Sequence, residues 1–241
     1  MCHPRPDGVV RHASFERRAG KLWVEAVSIE SIVAQVGTPV FVYSSSVLRD
    51  RARAVRRAFE PIGAKVRYAV KANANLSVLR LLLAEGCGLD VVSGGELFRA
   101  RAAGCPGDRV CFAGVSKTEA ELACALGIGV GHDPVGLINV ESASELGLLD
   151  RVAREANVRA RTLLRVNPGV DAATHRYTTT GLSDSKFGIA IDEAIELFAS
   201  SIHLQGVALL GGGGGVTRRL SNRRSDVRVK TEQCHSLQMN A

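Results

Sequence analysis

Apolar and polar positions follow two rhythms along this chain, and the switches between them predict its elements. Val66, Tyr68 and Val70 alternate with Arg67 and Ala69, a period of two rich in β-branched and aromatic residues, which predicts a strand. The pattern stops at Lys71, small and polar residues run to Asn75, and a helical apolar run starts at Leu76. Upstream, Leu22–Val27 predicts a short strand. Ser28 opens a helix with Ile29, Ile32, Val33 and Val36 at helical spacing, and Gly37 closes it before Thr38-Pro39. Val40–Tyr43 reads as another strand. Ser46–Phe59 reads as an arginine-rich amphipathic helix stopped before Pro61.

Beyond Lys71 the chain repeats a unit in which an apolar strand ends at a serine, glutamate stands three residues later, and a leucine-containing helix follows. The copies are LDVVSGGELFRA (Ser93, Glu96), CFAGVSKTEAEL (Ser116, Glu119) and INVESASELGLL (Ser142, Glu145). Each S-x-x-E reads as a capping box, the serine oxygen accepting an amide N–H while the glutamate reaches back. Capping also explains the Ser93-Gly94-Gly95 run, which would otherwise read as a phosphate loop at a helix N-terminus. Thr162–Val166 is a fifth strand, a polar loop and a helix at 192–198 follow, and Leu204–Leu210 is a sixth strand. Strands alternating with helices imply parallel pairing, and the near-equal period favours a (β/α)8 barrel of the triosephosphate-isomerase type. After five glycines, Gly211–Gly215, the periodicity fails. The expected barrel is therefore incomplete, two βα units short, with open edges that favour aggregation.

Composition narrows the classes. The chain has 241 residues, 46% hydrophobic and 23% charged, as in an ordinary globular protein. No run approaches the ~18 apolar residues of a membrane span, and the N-terminal twenty residues contain no apolar signal core. A cytoplasmic protein is expected. The net charge of +7 is uneven, because residues 216–241 hold six basic and two acidic groups. That tail has no aromatic residue to stack on a base, so a solvated tail is expected, with neither nucleic acid nor membrane as partner. The six cysteines form no C-x-x-C pair and no zinc spacing, so no metal site is expected. The pattern alone leaves Lys71 either as a surface lysine closing a strand or as a group at a barrel mouth, where chemistry sits.

Here the motifs become specific. YAVKAN, GLDVVSGGEL, GVSKTEAEL, NVES-x-x-EL, LLRVNPGVDAATHRYTTTG and SKFGI, in order over about residues 25 to 207, resemble the N-terminal barrel of diaminopimelate decarboxylase. That family is a fold-type III, pyridoxal-phosphate-dependent decarboxylase of amino acids. The resemblance implies pyridoxal 5′-phosphate at the C-terminal mouth of the barrel and a β-domain that joins the extreme N-terminus to a long C-terminal segment. It implies a homodimer for the full-length enzyme. Lys71 is similar to the lysine that holds the cofactor as an internal aldimine, with apolar walls at the strand end expected to desolvate its amine. Asp90 then faces the cofactor, or else bonds neighbouring backbone. Arg165 then lies near the cofactor's phenolic oxygen, or else forms a structural ion pair with a core carboxylate. His175 sits in the segment over the site mouth, where it is either catalytic or solvated. Lys186 is at the rim, where steering, subunit contact and chemistry are all open.

The likeness breaks after Val207. A histidine- and serine-bearing segment expected there is replaced by ALLGGGGG, in which Gly212 and Gly213 resemble a later loop that binds phosphate through backbone amides. An internal deletion or a change of reading frame would explain the join. The glutamate that keeps the pyridine nitrogen protonated, its neighbouring arginine and the cysteine supplied across the dimer have no counterpart. The expected divisions are residues 1–39 as a lead-in, 40–210 as the partial pyridoxal-phosphate barrel, and 211–241 as a glycine-rich, basic, disordered tail. The implied activity is decarboxylation of meso-diaminopimelate to L-lysine, with this chain expected to be inactive alone. The alternatives are a non-catalytic pyridoxal-phosphate carrier built as a single barrel, an interaction fragment without ligand, and an alanine racemase, against which the decarboxylase-like motifs argue.

Overall fold

In a computed structural model of the chain, residues 14–129, 131–167, 188–190, 193–194 and 196–197 are described, together with the backbone of 204–211, 214–218, 233–234 and 236–239. The chain divides into two units, residues 1–55 and 56–241.

The first unit carries an antiparallel sheet of β1 (Phe15–Arg18), β2 (Lys21–Val24) and β3 (Val27–Ser28). The predicted strand 22–27 is thus two strands, because Glu25 adopts a positive φ of 53° and turns the chain between them. The helix α1 (Ile29–Val36) starts and stops as predicted. Ser28 Oγ accepts the Ser31 N–H at 3.1 Å, and Gly37, at φ 77°, supplies the left-handed residue that ends it. Residues 40–43 form no strand, contrary to the alternation. No described strand pairs with them, and Phe41 remains 87% exposed. An apolar period is only half of a strand; the other half is a hydrogen-bonding neighbour.

The arginine-rich helix is α2 (Ser45–Phe59). Residue 56 onward belongs to the second unit, whose sheet follows a βα order. Its members are β4 (Lys65–Ala69), α3 (Leu76–Ala84), β5 (Gly88–Val91), α4 (Gly94–Ala102), β6 (Val110–Phe112), α5 (Glu119–Ala125), β7 (Leu137–Val140), α6 (Ala143–Glu155), β8 (Thr162–Asn167) and β10 (Leu204–Gly211). A short β9 (Ile189–Ala190) pairs with β8, and within the expected helix 192–198 residues 193–194 and 196–197 are helical. The six strands β4, β5, β6, β7, β8 and β10 are parallel neighbours in that order and curl into a half-barrel. The incomplete barrel expected from the sequence is what forms.

Two details differ from expectation. Ser93 and Ser142 cap α4 and α6 as predicted, each accepting the N–H of the glutamate three residues on. Ser116 does not cap α5. Thr118 does, with Glu121 completing the box, so the helix starts two residues later. Ser116 takes a positive φ of 60°, unlike the extended backbone of an N-cap, and the Lys117 ammonium beside it is buried, donating to Gly114 O and Asn139 O. The tail after 211, expected to be irregular, contributes β11 (Gly214–Arg218), β12 (Gln233–Cys234) and β13 (Ser236–Met239). β11 pairs antiparallel with β10, and β13 pairs parallel with β4. Both outer strands of the half-barrel offer unpaired backbone groups, and backbone pairing needs no side-chain pattern to occur.

Register sorts the side chains. Parallel partners share a face, and Arg67 pairs with Gly88, Ala69 with Asp90, Asp90 with Cys111, Cys111 with Leu137, and Asn139 with Leu163. One face therefore carries Arg67, Asp90, Cys111, Asn139 and Arg165. The alternate face carries Val66, Tyr68, Leu89, Val91, Val110, Phe112, Ile138, Val140, Leu164 and Val166, all buried. The apolar face is core. The polar face is where a site can be built.

In the first unit, Glu25 accepts from the Ser46 N–H at 2.8 Å and the Ser44 hydroxyl at 2.7 Å, which lowers its carboxyl from 4.5 to about 2. A depressed carboxyl stabilises the fold above its unfolded value, and that contribution is lost as pH falls from 4.5 toward 2. Glu25→Gln is expected to lower the stability of this unit at neutral pH and to flatten its acid transition over that window. Fluorescence of Trp23, the one tryptophan, reads both.

Candidate functional site

The predicted lysine closes β4, but the strand ends at Ala69 and Val70–Ala72 forms a 3-10 turn. That turn carries Lys71 beyond the buried strand, and Lys71 is exposed. The expected apolar walls are not supplied by the described residues, since the chain turns outward before the amine is reached. The following helix is capped by Asn75, whose Oδ1 accepts the Ser77 N–H at 2.8 Å. Lys71 thus sits on a short, hydrogen-bonded corner at the C-terminal end of a parallel strand.

Asp90 lies on the adjacent strand, buried, beside Cys111. Burial pushes the Cys111 thiol up to about 12, and the Asp90 charge and hydrogen bond add to that rise. Cys105, also buried, is pushed up to about 11. Neither is a nucleophile in this state. Arg67, one step back along β4, is buried with no hydrogen-bond partner for Nε or Nη1 among the described residues.

Arg165 on β8 meets Glu141, the residue after β7. Its Nη1 donates to both carboxylate oxygens at 3.0 Å, with the two side chains 14% and 2% exposed. The ion pair left open as one reading of Arg165 is therefore present. Glu141 Oε1 also accepts the Gly114 N–H at 3.1 Å. Gly114 holds φ 95°, and a Cβ there would stand 2.8 Å from Val92 O, so this approach requires glycine. Lys117, on the same loop, donates to Gly114 O at 2.8 Å, Asn139 O at 2.6 Å and Glu145 Oε1 at 2.7 Å. Burial holds the Glu145 carboxyl above its ordinary value, while the Lys117 charge pulls the other way.

The loops after β6 and β7 line an open cleft of about 340 Å³, with Ser116, Lys117, Glu141, Ser142, Ser144 and Glu145 on its walls. Sequence reasoning named none of these as site residues except as motif members. The signal was present: Glu141 directly follows a buried strand, in step with Asn139, opposite a charged residue on the next strand. Gly212, Gly213, His175 and Lys186 lie outside the described residues. Among the described residues no group of histidine, cysteine and carboxylate ligands can hold a metal ion, and no helix is long and apolar enough to cross a membrane.

The chain matches a known family. The family described as pyridoxal-dependent decarboxylase, pyridoxal binding domain, matches residues 45–224. This chain belongs to that family. Diaminopimelate decarboxylase of Pseudomonas fluorescens is 44% identical over 199 residues, covering 82% of this chain and 47% of that protein. The enzyme of the same name from Aquifex aeolicus is 42% identical over 197 residues, covering 82% and 45%. The chain spans about half the length of the curated relatives it matches. Among solved structures, diaminopimelate decarboxylase from M. jannaschii in complex with L-lysine aligns with a TM-score of 0.69 at 32% identity, covering 82% of this chain and 46% of that one. The lysine/ornithine decarboxylase of Vibrio vulnificus, at 23% identity and a TM-score of 0.59, shares the fold.

The Lys117–Glu145 pair is 1% and 5% exposed, so breaking it strands a buried charge. Lys117→Met is expected to cost about 3–5 kcal/mol at neutral pH. The loss should shrink in acid, where Glu145 takes up a proton. The double variant Lys117→Met/Glu145→Leu should recover most of the stability. Thermal unfolding of the four proteins at two pH values checks the cycle.

Proposed function

We propose that this chain is the pyridoxal-phosphate-binding barrel portion of a diaminopimelate decarboxylase, a cytoplasmic enzyme of lysine biosynthesis. The observation that carries the reading is the exposed Lys71 amine at the end of β4, beside a sheet face on which Asp90 and Arg165 stand while the opposite face is apolar core. The residues fit the cofactor. An aldehyde can reach Lys71, and Asp90 and Arg165 offer a carboxylate and a guanidinium to a polar, anionic ring system.

When bound, pyridoxal phosphate supplies the electron sink for the pair left as carbon dioxide departs. The chain's own contributions are narrower. Lys71 would hold the group through Nζ, and the same amine would carry a proton at the mouth. Asp90 is held in place by β5 and by Cys111. Arg165 presents a guanidinium whose position is set by Glu141. Gly212 and Gly213 are the phosphate-binding candidates in this reading, with His175 and Lys186 at the rim. The substrate proposed for the whole enzyme is meso-diaminopimelate, in keeping with the names of the relatives at 42% and 44% identity.

Incubation with pyridoxal phosphate, borohydride reduction and peptide mass analysis is expected to place one phosphopyridoxyl group on Lys71. Lys71→Ala should lose the label, and labelling spread evenly over surface lysines would overturn the reading. Carbon dioxide release from meso-diaminopimelate by the loaded 241-residue chain is expected to be absent. Measurable release would show that the proposed half-site suffices.

A further inference from the structure

We propose that Glu141 is a positioning residue that fixes the Arg165 guanidinium and tunes the charge it presents at the barrel mouth. The inference rests on the cofactor reading above, since it needs Arg165 to meet the pyridoxal ring oxygen.

Three observations carry it. First, the carboxylate is nearly enclosed, with its side chain 2% exposed, and both of its oxygens stand 3.0 Å from one nitrogen, Arg165 Nη1. One nitrogen shared by two oxygens pins the guanidinium at a single point and sets the side chain's reach. Second, Glu141 is itself held from the loop after β6 by the Gly114 N–H, in a backbone conformation that only glycine adopts without strain. A loop shaped to present one amide to one carboxylate is a support for that carboxylate. Third, the same loop is anchored by Lys117, whose ammonium reaches Gly114 O, Asn139 O and Glu145. The charges alternate across the mouth as Arg165, Glu141, Lys117 and Glu145, and every member named is on β8 or on the segments that follow β6 and β7.

The electrostatic consequence is specific. A guanidinium beside a phenolic oxygen favours the deprotonated ring system and lowers the pH at which the lysine-bound cofactor loses its proton. A carboxylate bonded to that guanidinium offsets part of its charge. Glu141 therefore raises this midpoint relative to a mouth with Arg165 alone.

The test is a pH titration of the visible absorption band of the chain loaded with pyridoxal phosphate, with Lys71→Ala as the control for the band. Glu141→Gln removes the charge and keeps an amide oxygen to accept from Arg165, and the midpoint is expected to fall by about one pH unit. Leu149→Ala loosens the buried face of α6 without removing a charge from the mouth, and its midpoint should match that of the unaltered chain. A Glu141→Gln midpoint equal to that of the unaltered chain overturns the inference and leaves the cofactor reading standing. So does an equal shift in Leu149→Ala, which would mean that general loosening moves the band. If circular dichroism shows that Glu141→Gln does not fold, Glu141→Asp decides. It keeps the charge but withdraws it by one methylene, and a midpoint that does not fall overturns the inference. A chain with no Lys71-dependent band overturns the cofactor reading, and this inference with it.

Discussion

Everything in the second unit depends on the strict alternation of side chains along parallel strands held in one register. Because Ala69 stands opposite Asp90, and Asp90 opposite Cys111, each strand adds its polar residues to the same face. A slip of one residue in any pair would exchange faces, placing Asp90 in the apolar layer and Leu89 in the mouth. The core and the site are therefore not separate features. They are the two sides of one hydrogen-bonded ladder, and what stabilises one side fixes the other.

Within the second unit, the successive βα repeats are also joined to one another by carboxylates. Glu121, in the first turn of α5, accepts the Gly94 N–H at 2.7 Å at the start of the preceding helix, and Glu141 accepts the Gly114 N–H of the preceding loop. In each case an acidic group satisfies a backbone donor of its neighbour, one that would otherwise be left at a loop or helix start without a partner. The Thr118 N–H first, and the Gly94 N–H after it, hold the Glu121 carboxyl below its usual range. They lie at the C-terminal ends of the strands, so the same contacts that join repeat to repeat also stiffen the mouth.

The sequence made local events legible and hid those that depend on distant partners. Ser93 and Ser142 announced their helices because a cap is settled within four residues. Ser116 was misleading because the competing demand came from Asn139 and Glu145, more than twenty residues away, acting on Lys117. Residues 40–43 alternated like a strand, but alternation does not say whether a neighbour exists. Lys71 was found by its motif, while its exposure follows from a turn at Val70–Ala72 that no propensity marks. Arg165 came into view as a charge inside an apolar strand. Glu141, its partner, passed as part of a motif because a carboxylate after a strand is common in loops. The fold was read from periodicity, the lysine from resemblance, and the electrostatic support of the mouth from coordinates alone.

The pairing of β13 with β4 carries a consequence for how the chain comes together. Met239 sits opposite Tyr68, so the edge of β4 finds this neighbour only after β5 to β12 have been made. Closing so long a loop is entropically slow compared with joining β4 to β5. During that interval β4 has one side paired and one side bare, and a bare edge templates any strand it meets. β13 thus decides when β4 stops being adhesive, and the time spent waiting for it sets the exposure of that edge to mispairing.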